Sequence, residues 1–275
     1  MKRYNTVYLF ISTVMFGVIG YHKANAQALD SAYIECRYSF SYILDSTKTE
    51  SKGSDVMSLL IGKNISNFFS YNQYRVDSLV NEDKKGVSET ETSDNKNKYG
   101  KGGLSYHIFQ NYPTGKISYF SKLITKDYKY EEDLNSYHWN ILKDTSVILG
   151  YKVQKAACFY GGRNWIVWFA PDIAISSGPW KFNGLPGLVL SAEDDKNYFN
   201  FTIVGLNYLF PKKPIIFNIE GKEQYKNIKK EEYLKLAYKL NTNLFTFMKE
   251  NLDITITRAD GTLPKLRIYT PIELY

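Results

Sequence analysis

Along most of the chain, apolar residues alternate with polar ones, which is the pattern of β-strands that bury one face. β-Branched and aromatic residues alternate in this way over residues 32–44, 104–110 and 116–123, and each run predicts a strand. The last two runs flank the turn sequence NYPTG at 111–115 and therefore predict a hairpin.

Two further hairpins follow in the second half of the chain. Residues 151–160 and 165–170 are joined through Gly161-Gly162, and glycine readily adopts the positive φ of a tight turn. Residues 188–192 and 198–206 flank the polar turn EDDKN at 193–197. Three successive hairpins predict an antiparallel meander.

A helical period occurs in one long stretch, near the end of the chain. Its apolar positions would share one stripe of a helix; they are Tyr233, Ala237, Leu240, Leu244 and Phe247. Residues 72–80 predict a short second helix. The expected fold class is α+β: a curved, mostly antiparallel β-sheet with one long helix, in the C-terminal half, packed on it.

The first 26 residues have the parts of a secretory signal peptide. Lys2 and Arg3 give a positive start, residues 8–21 carry no charge, and the small-x-small sequence ANA occupies 24–26. A retained membrane anchor is the alternative, but a spanning helix needs about 20 apolar residues and this stretch is shorter. We therefore expect a mature chain that is periplasmic or extracellular, and either soluble or peripherally attached to the envelope.

Residues 27–275 fit one β-rich domain, because no repeat or proline-rich linker divides them. Within it, the polar and almost apolar-free residues 81–103 predict a flexible surface loop. The chain carries 35 Lys and Arg against 28 Asp and Glu, and removing residues 1–26 lowers its net charge from +7 to about +4. The bases are dispersed, so we expect no nucleic-acid partner, and we expect no transmembrane segment in the mature chain.

Cys36 and Cys158 are the two cysteines. In an oxidising compartment they could form a disulfide, and the long loop would favour it by about 4–5 kcal/mol in the chain-entropy model. Two separate buried thiols are the alternative, because free cysteine packs as a small apolar residue.

The densest group of turn signals lies at 178–188. Its members are Gly178, Pro179, Gly184, Leu185, Pro186, Gly187 and Leu188. Gly184 follows Asn183 and suits a turn with positive φ, and Pro186-Gly187 suits the centre of a type II turn. The two leucines are then expected to point into the core.

The run GLPGLV at 184–189, preceded by GPWKF at 178–182, resembles the signature of the GLPGLI family of secreted proteins, known chiefly from the Bacteroidetes. Val189 stands at the sixth position of the motif, where the family has Ile. Blocks at 61–70, 150–165 and 271–274 extend the resemblance over nearly all of the mature chain. It implies an envelope address and a shared fold, and it implies no established reaction, cofactor or catalytic residue.

Catalytic motifs are few. His107 and His138 stand far apart and do not form a zinc-binding pattern, and neither a phosphate-binding glycine loop nor a nucleophile elbow is present. We therefore expect no cofactor and no metal. The remaining enzymatic hypothesis is a carboxylate-dependent hydrolase that uses acids such as Glu131 or Asp172, with two carboxylates about 5–9.5 Å apart.

Charged residues among the aromatic ones at 163–181 suggest a binding site. The candidates are Arg163, Trp165, Trp168, Asp172, Trp180 and Lys181. Aromatic faces would stack a ring or apolar ligand while the charges orient it. The structural alternative is that Arg163 and Asp172 pair with each other or with the backbone.

These observations favour a non-enzymatic envelope protein. It would carry a ligand, either a lipid or another apolar molecule, or it would dock with an outer-membrane or periplasmic partner. An apolar concave pocket would support the carrier role, and a polar concavity would count against it. The alternative is the carboxylate-dependent hydrolase, acting on envelope or extracellular polymer.

Overall fold

A computed structural model describes residues 28–83, 101–216, 225–254 and 265–274. The predicted signal peptide at 1–26 lies outside the described residues. Most of the predicted loop at 81–103 does so too.

The described residues form one twelve-stranded sheet. Its strands are β1 Ala28–Tyr42, β2 Gly53–Ile61, β3 Ser66–Ser70, β4 Tyr106–Gln110, β5 Lys116–Leu123, β6 Lys126–Asp133, β7 Asn140–Ile148, β8 Tyr151–Tyr160, β9 Arg163–Ala170, β10 Leu188–Asp194, β11 Phe199–Ile216 and β12 Lys226–Asn227. Their order is β12-β6-β5-β4-β3-β2-β1-β11-β10-β9-β8-β7, and every neighbouring pair except β12–β6 is antiparallel.

The three predicted hairpins are present as β4–β5, β8–β9 and β10–β11. Their turns contain the left-handed residues that the sequence offers: Gly115 at φ 78°, Gly161 and Gly162 at 57° and 73°, and Asn197 at 53°. Glycine pays no Cβ penalty there, and asparagine tolerates the conformation better than most residues.

The predicted α+β class with one long helix is wrong, because the described chain is β-dominated and its helices are short. They are α1 Tyr71–Asp83, α2 Lys230–Thr242 and α3 Leu244–Leu252. The predicted apolar stripe is interrupted at Asn243, whose backbone is non-helical at φ −142° and ψ 70°. The Asn243 side chain accepts a hydrogen bond from the backbone N–H of Thr246 and so caps α3.

The sheet curls around one large core, since buried side chains from β1–β5 and from β8–β11 belong to the same cluster. Residues 173–187, between β9 and β10, fill this core with Trp180, Phe182 and Leu185. Two smaller clusters complete the packing: one joins the outward-facing residues of the first strands, and the other joins α2 and α3 to β5 and β6 through Tyr233 and Phe247.

Candidate functional site

An open groove of about 400 Å³ lies where the β2–β3 turn, the end of β4, the residues after β6 and the segment 174–183 meet. Its polar side chains are almost all amides and hydroxyls. They are Asn64, Gln110, Asn111, Asn135 and Asn183, together with Tyr33, Ser66, Ser176 and Ser177. We call this surface the amide groove.

Three buried polar side chains at the base of the groove hold one another in place. Ser177 Oγ donates to Gln110 Oε1 at 3.2 Å and lies 3.4 Å from Ser66 Oγ. Gln110 Nε2 in turn donates to the carbonyl of Phe182 at 3.2 Å. This network is formed before any ligand arrives, so little side-chain entropy remains to be lost on binding.

Asn183, one of the residues that line the groove, has a buried acceptor without a partner. Its side chain is 3% exposed, and its Nδ2 donates to the carbonyl of Lys181 at 2.9 Å. Its backbone carbonyl accepts from Trp139 Nε1 at 2.8 Å, whereas its Oδ1 has no hydrogen-bond partner among the described residues. A buried acceptor left unpaired costs about 1–3 kcal/mol, so a donor supplied by a ligand would be favourable there.

The wall formed by the β2–β3 turn is fixed by Asp30. Its Oδ2 accepts from the backbone N–H groups of Asn64 at 2.7 Å and Ile65 at 3.0 Å. Burial alone would raise the pKa of Asp30, but these backbone donors lower it below its usual value, so the carboxylate stays ionised. Asn111 Nδ2 donates to the carbonyl of Asn64 at 2.8 Å and ties the β4–β5 turn to the same wall.

The groove carries little charge. Among the described residues that line it, Lys63 is the only charged one, and none is Asp or Glu. The two acids of the hydrolase hypothesis lie elsewhere: Glu131 is exposed and pairs with Lys129 at 2.5 Å, and Asp172 is exposed after β9. The structure therefore brings neither of them into this groove.

The six predicted binding residues do not form one site. Arg163 is buried and pairs with Asp194 at 2.8 Å, so the structural alternative is wrong in its pairing with Asp172 and confirmed, for Arg163, in its pairing with the backbone. Arg163 donates as well to the carbonyls of Ile272 at 3.0 Å and Pro271 at 2.5 Å. Its role is to hold the C-terminal residues against the sheet.

The three predicted tryptophans and Lys181 are likewise structural or dispersed. Trp165 and Trp180 are buried in the core with ring centroids 5.5 Å apart, and Lys181 is fully buried. Trp168 occupies the opposite face of β9, half-buried, with Lys155 Nζ 5.7 Å from its ring. No common concave surface joins these side chains with the exposed Asp172 in the described part of the chain.

Lys181 instead belongs to a largely buried set of four charges, which we call the ion cluster: Lys181, Lys230, Glu132 and Glu273, of which Lys230 is 22% exposed. Lys181 Nζ lies 2.5 Å from Glu132 and 2.6 Å from Glu273. Lys230 Nζ lies 2.5 Å from Glu132 and also contacts Glu273. Tyr160 adds a hydrogen bond from its hydroxyl to Glu132 at 2.6 Å.

Within the ion cluster, the pKa of Glu132 and that of Lys230 are each shifted in the direction that keeps the group charged. Burial alone would raise the pKa of Glu132, but Lys181 and Lys230 lower it to about 2. Burial alone would lower the pKa of Lys230, but Glu273 and Glu132 raise it. Sequence reasoning missed this cluster, although Glu132 shares the inward face of β6 with Tyr128 and Tyr130 by simple alternation.

The signature segment is built partly as expected. Leu185 and Leu188 are buried in the core, and Gly184 turns at φ 86°. The type II turn predicted at Pro186-Gly187 is wrong, because Gly187 does not have positive φ. Its need for glycine is one of space: a Cβ there would lie 2.3 Å from the carbonyl oxygen of Ala170.

Gly178 and Pro179 are also buried within this segment, where a Cβ on Gly178 would meet the Val189 side chain at 2.7 Å. The disulfide between Cys36 and Cys158 is not formed, and both are free, buried thiols. Cys36 lies on β1 and Cys158 on β8, with β11, β10 and β9 between them in the sheet.

Neither a metal site nor a membrane-spanning helix is found in the described ranges. No group of three or more His, Cys, Asp or Glu is placed to hold a metal ion there. The helices among those residues are too short or too polar to cross a bilayer.

Comparisons with known proteins place the chain only broadly. Residues 162–191 match the model of a family described as "Protein of unknown function (Porph_ging)". No curated protein matches the chain.

Two solved structures of PNGF-II match the chain. The one in space group C2 has a TM-score of 0.50 at 15% identity, over 76% of this chain and 33% of that one. The one in space group P21 has a TM-score of 0.48 at 13% identity, over 78% of this chain and 34% of that one. This chain therefore spans about a third of the length of these structures, and the likeness to the first concerns the fold alone.

Proposed function

We propose that this chain is an exported, non-enzymatic binding module that takes an uncharged, hydroxyl-rich ligand of the carbohydrate class in the amide groove. The observation that carries the proposal is the lining of that groove. Side-chain amides and hydroxyls surround about 400 Å³, and none of the described residues that line it is Asp or Glu. The signal-peptide pattern and the resemblance to the GLPGLI family support the exported setting.

The chemistry of the lining matches a sugar more closely than an ion or a lipid. A side-chain amide presents donors and an acceptor side by side, and a ligand hydroxyl needs both. Asn64 and Asn135 are exposed at the rim, the unpartnered Asn183 Oδ1 lies deep, and the half-buried ring of Tyr33 offers an apolar face. One ligand ring could therefore be hydrogen-bonded at its edge and packed against Tyr33 at its face.

An apolar carrier is less well supported. The inner side of the sheet, where a lipid would lie, is filled by the core cluster and by residues 173–187. The groove that remains open there is polar, which is the outcome that counts against lipid carriage. The ligand-binding hypothesis is therefore kept, and its ligand class changes from apolar to hydroxyl-rich.

The test is binding of the purified protein to an array of neutral and acidic oligosaccharides, with affinity then measured by calorimetry. We expect at least one neutral glycan to bind, and we expect Asn135→Trp to weaken that binding at least tenfold, because an indole at the rim would fill the groove. Asn135 is exposed, so the variant should fold normally.

The matched control is Ser136→Trp, which adds the same bulk at the next exposed residue, outside the groove lining. It should leave affinity unchanged. Binding of acidic glycans alone, or equal loss in both variants, would overturn the assignment of the groove. Release of new reducing ends from a bound glycan would overturn the non-enzymatic part, and loss of that activity in Asp172→Asn or Glu131→Gln would restore the hydrolase hypothesis.

A further inference from the structure

A second cavity, of about 420 Å³, lies between α1, the outward face of β2–β4 and the end of β11. Its apolar and aromatic walls include Leu60, Phe69, Tyr74 and Ile216. We call it the aromatic pocket. It is separate from the amide groove, since the two share no lining residue.

A ladder of parallel rings runs from Phe69 and His107 in the wall of the aromatic pocket to Phe109, which is fully buried behind that wall. Phe69 and His107 are stacked with centroids 5.4 Å apart and an angle of 16°, and His107 continues onto Phe109 at 6.4 Å and 18°. Tyr74 of α1 meets Phe69 edge-on at 5.6 Å. A planar ring that enters the pocket would therefore meet flat aromatic surfaces of the kind that favour offset stacking.

Two polar atoms within these apolar walls have no hydrogen-bond partner among the described residues: Asn67 Oδ1 and His107 Nδ1. Asn67 is 5% exposed, so bulk water does not readily satisfy it. Asn67 pairs with Phe109 and Phe69 pairs with His107 between β3 and β4, so Asn67 and His107 are diagonal neighbours on one face. Such neighbours lie about 7–8 Å apart, a span that one small molecule can bridge.

The imidazole is held in its neutral form. Burial lowers the pKa of His107 to about 4, so at pH 7 one ring nitrogen can accept a hydrogen bond. The amide oxygen of Asn67 is an acceptor as well. The complement to this pair is a ligand edge that carries two donors.

We propose that the aromatic pocket binds a neutral, planar heteroaromatic molecule that donates two N–H hydrogen bonds, one to Asn67 Oδ1 and one to His107. Its volume lies within the range of about 300–1,000 Å³ that is usual for small-molecule sites. Lys213 and Asp77 also line the pocket, and both have partners within the chain: Lys213 Nζ lies 3.7 Å from Glu35, and Asp77 Oδ1 accepts from Gln73 Nε2 at 2.8 Å.

The probe for this proposal is 2-benzimidazolinone, which is planar and uncharged and carries two N–H donors. Its 1,3-dimethyl derivative keeps the ring and removes both donors. In titrations of the full protein followed by ¹⁵N NMR, we expect the first compound to bind and to shift the imidazole nitrogens of His107. We expect the dimethyl compound to bind at least tenfold more weakly, because two hydrogen bonds are lost.

Two near-isosteric variants test the residues. Asn67→Leu and His107→Phe should each weaken binding of 2-benzimidazolinone by about fivefold or more, since each removes one acceptor. Neither should lower the melting temperature much, because the atoms removed have no hydrogen bond within the described chain and Phe preserves the ring ladder.

Asn135→Trp in the amide groove is the control and should leave this binding unchanged. Equal affinity for the two compounds, or no shift at His107 at millimolar probe, would overturn the proposal and leave ordered water as the partner of both atoms. Failure of the glycan test leaves this result unaffected, because the two sites are read by different probes.

Discussion

The ion cluster and the amide groove are both reached by the segment between β9 and β10, yet they use polarity in opposite ways. Lys181 is fully buried and meets two carboxylates, while Asn183, two residues later, leaves an amide oxygen unpaired at an open groove. Between them, the Phe182 side chain enters the core and its carbonyl accepts from Gln110. Three consecutive residues thus belong to a largely buried charge network, to the core and to a solvent-accessible surface, respectively.

The difference indicates what each region is for. Opposite charges that are buried together satisfy one another and fix the parts that carry them, here β6, α2, the signature segment and the C-terminal residues. Neutral amides with spare hydrogen-bonding capacity stabilise little, but they can exchange water for a ligand. We therefore propose that the ion cluster contributes stability and that the amide groove contributes binding, and the following experiments test that division.

The largest expected effect is that of Lys181→Met. The variant removes one cation and leaves Glu132 and Glu273 to share Lys230, so one buried carboxylate is left without full compensation. We expect the free energy of unfolding to fall by about 3–5 kcal/mol, as is typical when one partner of a buried pair is removed. Urea denaturation followed by tryptophan fluorescence measures it.

Two further variants make that result specific. Lys152→Met removes an exposed lysine and should change stability by no more than about 0.5 kcal/mol. Lys181→Met combined with Glu273→Leu removes a cation and an anion together and should recover much of the loss. If Lys181→Met alone cost less than about 1 kcal/mol, the ion cluster would not be the stabilising region proposed here.

The hairpins could be predicted from the sequence, whereas the end of the long predicted helix could not be predicted from its apolar stripe alone. The alternation of apolar and polar residues and the turn residues were enough to predict the hairpins, because both are local signals. Strand β8, for example, has the bounds that its alternating pattern predicts. The helix prediction failed at Asn243, where a side-chain cap outweighs the continuing apolar stripe. Capping by asparagine is a signal that the sequence itself contains.

The sites could not be predicted in the same way, because they depend on contacts between distant parts of the chain. Ser66 and Gln110 meet when β3 pairs with β4, but Ser177 reaches them only when the segment between β9 and β10 fills the curled sheet, and no spacing along the chain indicates that meeting. Lys181 stood out as a charge among aromatic residues, but its partner Glu273 is 92 residues away. A charge in an apolar segment signals burial with a counter-ion as readily as it signals a ligand site.

A smaller effect is expected from acid. The pKa of Glu132 is about 2 in the folded protein against an ordinary value of 4.5, so its contribution to stability is present above pH 4.5 and is lost as the pH falls towards 2. The contribution is on the order of 3 kcal/mol at most. Urea denaturation at a series of pH values should show this decline, and a ¹³C titration of the Glu132 carboxyl should place its midpoint near 2.

The neighbouring acid provides the control. Glu131 is exposed on the other face of β6, so Glu131→Gln should keep the acid decline of the parent, whereas Glu132→Gln should flatten it. A Glu132 carboxyl that titrates at its ordinary value would mean that the two lysines do not compensate its burial.

The smallest expected effect concerns the reactivity of thiols and involves no loss of stability. The experiment compares the two thiols in the core with one thiol introduced into the groove. Burial raises the pKa of Cys36 and Cys158 to about 12, so both thiols should be unreactive towards Ellman's reagent in the native protein at pH 8. Ala174 is exposed and lines the amide groove, so Ala174→Cys should add one thiol that reacts within minutes. Denaturation without reductant should then expose two more reactive thiols, because Cys36 and Cys158 are free in the structure.

A fast reaction of Cys36 or Cys158 in the native protein would mean that the core opens readily. If neither cysteine reacted after denaturation, the two would form a disulfide. The proposed division between a closed core and an open groove requires that neither of these outcomes is observed.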